Sequence, residues 1–147
     1  MTLVLHDFFD LDEDGDLLPG YMDQSRAWVR KPSELTGDYV KGALDASIRA
    51  GEAAFNHVKE KMGVTADGFI KDCCGGSMVK IVNPDRKLLF LLKGMSAAHG
   101  ALGGWSIHGF NCPEQSMTAH EAVAGAACIV LRKAFPGQES HAHSWID

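Results

Sequence analysis

The chain has 147 residues, 46% of them hydrophobic and 22% charged, which suits one globular domain around one core and excludes a disordered chain. A net charge of -5 lacks the basic footprint that phosphate backbones require, so no nucleic-acid partner is expected. No apolar run reaches the ~18–20 residues of a membrane-spanning helix, which makes a membrane partner unlooked-for as well.

The N-terminal stretch MTLVLHDFFDLDEDGD has neither a basic region nor a long apolar core, so no secretory leader is expected. Cys73, Cys74, Cys112 and Cys128 are then expected as reduced thiols in a cytoplasmic setting rather than as a disulfide framework. Residues 1–37 read as an irregular arm. Within it, DFFDLDEDGDLLPG sets Asp10, Asp12 and Asp14 at alternate positions before Gly15, as at the start of an EF-hand calcium loop. Crowded carboxylates repel one another, and a hard dication relieves that repulsion. The second half of the loop departs from the pattern: its twelfth position is Tyr21, which has no carboxylate, and Pro19-Gly20 blocks the exiting helix. The competing reading is an acidic turn whose Asp side chains accept from nearby backbone N–H groups. Calcium is therefore a weak-affinity candidate cofactor only.

Val40, Leu44, Ser47, Ile48, Gly51, Phe55, Val58 and Met62 recur at steps of three and four, which predicts an amphipathic helix capped by Asp38 and closed by Gly63. Gly51 and the alanines beside it predict close approach of another element. Thr65 is read as the cap of a second, short helix running to the vicinal cysteines. The Asp-Cys-Cys-Gly stretch, Asp72 to Gly75, is similar over four residues to the nucleophile segment of papain-like peptidoglycan amidases. It lacks the aromatic residue and valine that follow there, and the family is not assigned. Independently of that resemblance, a Cys at a turn beside a helix end can be activated as thiolate, so Cys73 or Cys74 is a candidate nucleophile with His99 or His108 as its base, although the adjacent Asp72 would raise the thiol pKa. The competing reading is a pair of small buried hydrophobes.

Asn83-Pro84-Asp85-Arg86 has type I turn chemistry, which predicts a hairpin between MVKIV and KLLFLL; the competing reading starts a helix at Pro84 and runs it to Ala101. Glycines crowd residues 94–109, where WSIHGF is read as a further strand. His99, Trp105, His108 and Cys112 lie in or beside this segment, and Trp105 and Cys112 are expected to line a pocket. Thr118 and Glu121 form a capping box opening an alanine-rich helix that ends at Pro136-Gly137. Residues 137–147 read as a mobile tail, in which His141-Ala-His143 with Glu139 and Asp147 is a set able to pick up a metal ion adventitiously.

The expected fold is α+β in one domain: a long amphipathic helix and a C-terminal alanine-rich helix on a small antiparallel β-hairpin or meander. The alternative is an all-α bundle. Three functions follow as expectations. The first is a small acidic binding or regulatory protein acting through contacts with another protein, self-association being open. The second is a Cys/His-dependent hydrolase or transferase using Cys73 or Cys74 with His99 or His108. The third is a membrane-active protein with a refolding apolar hairpin.

Overall fold

A computed structural model describes residues 12–14, 35–64, 72, 74–101, 103–107, 110, 112 and 116–146. Among these residues three helices pack with a four-stranded antiparallel sheet, an α+β fold. The order along the chain is α1 (Gly37–Met62), β1 (Gly75–Val82), α2 (Arg86–Gly94), β2 (Ala98–Ala101), β3 (Gly104–Ile107), α3 (Met117–Ala134) and β4 (Glu139–Ile146). The strands lie side by side as β2-β3-β1-β4.

Helix α1 spans the periodic segment, but its cap is Thr36 rather than Asp38. Thr36 is extended (φ -119°, ψ 166°), and its hydroxyl accepts the Tyr39 N–H at 3.2 Å. Asp38 lies inside the first turn, where its charge favours the helix dipole. Gly63 closes the helix with φ 73°, as expected. The opposite end of the helix pair is tied by Tyr39, whose hydroxyl donates to the Ala134 carbonyl and whose ring meets Phe135 edge-on at 5.9 Å. Gly51 sits against Val123, so α1 and α3 run antiparallel. Ala43, Ala50 and Ala54 on α1 and Ala126 and Ala127 on α3 are fully buried, and their small size sets the close approach.

Two expected elements take another form. KLLFLL is a helix, not the second strand of a hairpin. Asp85 caps it, its carboxylate accepting the N–H groups of Lys87 (3.1 Å) and Leu88 (3.4 Å). Leu88 and Leu92, four apart, are buried while Phe90 between them is 76% exposed, which is helical and not alternating burial. The helix stops well short of Ala101. Ser96 turns left-handed (φ 55°), Ala97 N–H reaches back to Leu92 O and Ser96 N–H to Lys93 O, a Schellman closure. The apolar segment is thus folded as helix α2 followed by strand β2, not as two strands joined at Pro84. Among the described residues no helix is long and apolar enough to cross a membrane. The short helix expected after Thr65 and most of the N-terminal arm lie outside the described residues.

The expected mobile tail is strand β4 over residues 139–146, and it pairs with the whole of β1, from Gly75↔Ile146 to Val82↔Glu139. Burial alternates along β1: Val79 and Ile81 face α3 and enter the core with Ile107, Val130 and Leu131. Helix α1 packs chiefly on α3, and α3 on β1 and β4. The cap of α3 also differs from expectation. Ser116, not Thr118, accepts the Ala119 N–H (3.2 Å). Asp72 completes the end: one carboxylate oxygen accepts the Ser116 hydroxyl at 2.7 Å and the Thr118 N–H at 2.8 Å. Thr118 and Glu121 are exposed within the first turns.

Candidate functional site

Register fixes what the sheet brings together. On the face turned away from α3, the pairings His99↔Ser106, Ser106↔Lys80 and Lys80↔His141 set four polar side chains in one row across all four strands. The next position along β1 and β4 pairs Met78 with His143, and the one beyond pairs Gly76 with Trp145. The Trp145 ring folds over Gly76, where an added Cβ would lie 2.4 Å from the indole. On this face His99, His141, His143 and Trp145 are exposed.

Strand β4 is an edge of the sheet among the described residues. The His143 carbonyl is turned toward β1, since the Ser77 hydroxyl donates to it at 3.1 Å. Backbone groups of successive residues point to opposite sides of a strand, so those of Ser140, Ala142 and Ser144 point to the outer edge. The Ser140 carbonyl is taken there by Arg132, which donates from Nε (3.0 Å) and Nη2 (2.8 Å). Ala142 is exposed, as are Trp145 and Ile146, the last two by 40% and 67%. No lysine or proline interrupts β4, although those residues commonly protect edges from pairing.

The catalytic pairings expected from the sequence fare differently. Cys74 is exposed at the entry to β1 and bridges to Ser116. His99 lies on the row through Lys80, six residues further along. At ~3.3 Å per residue the two are about 20 Å apart along the strand direction, and two strands apart across it. Cys74 and His99 therefore do not form a dyad. Cys73 and His108 lie outside the described residues, as does Asp10. Asp12 and Asp14 fall in a turn where Asp12 Oδ1 accepts the Asp14 N–H at 2.9 Å, the local bond an acidic turn makes for itself.

Cys112 is half-buried beside a cavity. A cavity of about 200 Å³ between β1, β3 and the start of α3 is bounded by Ser77, Ile107, Phe110, Cys112, His120 and Val123. Trp105 is elsewhere: it packs against the main core with the Lys93 ammonium 4.8 Å from its ring centre. The imidazole that shares the cavity is His120, which sequence reasoning missed as a site residue. Its sole signal was its position in the first turn of an alanine-rich helix. Cys128, 1% exposed, is a core residue; burial pushes its thiol up to about 11 against the opposing pull of the Arg132 guanidinium.

Within a single chain, no group of three or more His, Cys, Asp or Glu among the described residues is placed to hold a metal ion. Comparison with protein-family models, with curated proteins and with solved structures found no match.

Proposed function

We propose that this protein is a small interaction module that recognises a protein partner by adding an extended strand to β4. The observation that carries the proposal is an eight-residue edge strand whose outward main-chain groups meet no other strand among the described residues, and which ends in exposed Trp145 and Ile146. Main-chain pairing supplies affinity in such recognition, and alternate side chains supply specificity. Trp145 is suited to an anchoring role, since tryptophan dominates contact energies where it is covered. A reducing, cytoplasmic setting belongs to the same proposal and is supported by the free thiols of Cys74 and Cys128.

The test has two stages. A photo-crosslinking residue is placed at Ser144, on the edge, and separately at Phe90, on the exposed side of α2. The expected result is one recurrent protein adduct from position 144 and none from 90. The affinity of that partner is then measured with Ala142→Pro, which deletes one outward N–H; a loss of at least tenfold at unchanged fold is expected. Adducts from 90 alone, or unchanged affinity with Ala142→Pro, refute the proposal.

A second reading rests on the cavity holding Cys112 and His120: thiol-dependent transfer or hydrolysis with His120 as base, in place of the pairings read from the sequence. Its test is alkylation by iodoacetamide at pH ~6, where an ordinary thiol of pKa ~8.5 is mostly protonated. Selective modification of Cys112 that is lost in His120→Ala supports it, and equal slow reaction of Cys112 and Cys74 refutes it.

A further inference from the structure

We infer that β4 carries half of a transition-metal site that a second copy of this chain completes, with zinc as the ion that suits it. The inference rests on β4 being a recognition edge and names one partner for it.

His141 and His143 are two apart on one strand, so both imidazoles stand on the same face, the face opposite α3. Both are exposed. Glu139 lies on that face too, and its Oε1 is 2.9 Å from His141 Nε2. A carboxylate holding one ring nitrogen is the usual support of a metal-binding histidine: it fixes the ring and leaves the other nitrogen, here Nδ1, to the metal. Two imidazoles alone are half of the four donors that structural zinc takes. Among the described residues of one chain, no set of three or more ligands is assembled.

The missing half follows from symmetry. Pair two β4 edges antiparallel about a twofold axis perpendicular to the sheet, so that Ala142 meets its own copy. Directly opposed residues in an antiparallel pair share a face. His141 then faces the partner subunit's His143, and His143 faces the partner subunit's His141. Opposed Cβ atoms stand ~5 Å apart, and residues two apart along the strand ~7 Å, so four imidazoles ring the small Ala142 pair. That is the number and type of donor that tetrahedral Zn²⁺ accepts. The outward main-chain groups of Ala142 pair with their own copies, and the Ser144 carbonyl accepts from the N–H of the partner subunit's Ser140, whose carbonyl stays with Arg132. On the other face, a cavity of about 300 Å³ beside Gly125, Ile129 and Ala142 leaves α3 clear of the central pair. Lys80, the cation nearest on this face, pairs with His141 from β1, on the side away from the incoming copy.

The test uses the untagged full chain in analytical ultracentrifugation and calorimetric titration with zinc chloride. In chelator the protein is expected as a monomer. With zinc it is expected as a dimer binding one ion per two chains through this site. His141→Ala/His143→Ala is expected to lose that dimer while keeping the melting temperature measured in chelator, since both side chains are exposed. Glu139→Gln is expected to weaken zinc binding by about 10- to 100-fold, as losses of supporting carboxylates do. A dimer that ignores chelator, zinc bound without dimerisation, or zinc-dependent dimerisation surviving in the double variant each overturns the inference. A partner crosslinked at Ser144 and lost with Ala142→Pro would stand in any of those cases, so failure here is distinguishable from failure of the interaction proposal itself.

Discussion

The crossing of α1 and α3 yields a substitution whose effect should change sign with its background. In Gly51→Ala, the new Cβ would lie 2.9 Å from Val123 Cγ1, closer than a real contact allows, while the Val123 carbonyl oxygen and Cα would be at ordinary distances of 3.5 and 3.8 Å. Alanine in place of glycine inside a helix is worth about 1 kcal/mol. Overpacking a closed core costs about 1–3 kcal/mol. The clash involves a branched side chain, 4% exposed, with little freedom to swing away. Gly51→Ala should therefore destabilise by up to about 2 kcal/mol. Val123→Ala removes two buried methyl groups and should destabilise by about 1.5–3 kcal/mol. In that background the clashing methyl is gone, so adding Gly51→Ala should stabilise by about 1 kcal/mol. Urea denaturation of the four proteins closes the cycle, with a favourable coupling of about 1–3 kcal/mol expected between the two substitutions. Stabilisation by Gly51→Ala in both backgrounds, with no coupling, would refute the close crossing.

Other expectations are simpler. Asp72→Ala removes a charged acceptor from two donors at the start of α3 and should cost about 1–3 kcal/mol in denaturant unfolding, with Asp72→Asn intermediate. The Ser140 hydroxyl is buried and makes no hydrogen bond among the described residues, so Ser140→Ala should raise stability by about 1 kcal/mol. Cys128 adds a pH dependence. Its thiol is raised from 9.0 to about 11 on folding, so the native state holds the proton more tightly. That contribution is fully present below pH ~9 and is lost as pH rises through ~11, by about 3 kcal/mol at ~1.4 kcal/mol per tenfold. Cys128→Ala should flatten the difference between stability at pH 8 and pH 11 relative to wild type, and an identical profile for the two proteins would contradict the assignment.

What was legible in the sequence follows the range of the forces involved. The period of Val40, Leu44, Gly51 and Phe55 spans about four turns of α1, and repetition on that scale outweighs local ambiguity. Its cap was misplaced because Thr36 and Asp38 are equally suitable residues two apart, and the choice depends on the extended backbone at Thr36. KLLFLL is too short for period to decide. Asp85 and the left-handed Asn83 (φ 48°) make Pro84 the approach to a helix instead of the corner of a hairpin. The α3 cap could not be read locally, because Asp72 and Ser116 are 44 residues apart. Strand β4 looked like a tail for the same reason: its order comes from β1, and its small and large residues alternate too modestly to announce a strand. The pairing of Cys74 with His99 failed on register, which no spacing in the chain encodes, whereas Cys112 was placed in a cavity by its neighbours. Aromatic and glycine-rich surroundings did mark that neighbourhood, but they did not point to His120.

The open edge of β4 is tested most directly by hydrogen exchange of its amides, resolved residue by residue by NMR in the isolated monomer with chelator present. His141, His143 and Trp145 turn their N–H groups to β1 and should be protected by orders of magnitude relative to Ala142 and Ser144, which turn theirs outward. That alternation, odd residues slow and even residues fast, is the expected result. Uniformly fast exchange would mean that residues 139–146 do not pair with β1, and uniformly slow exchange would mean that the edge is already covered; either would contradict a strand held out for a partner.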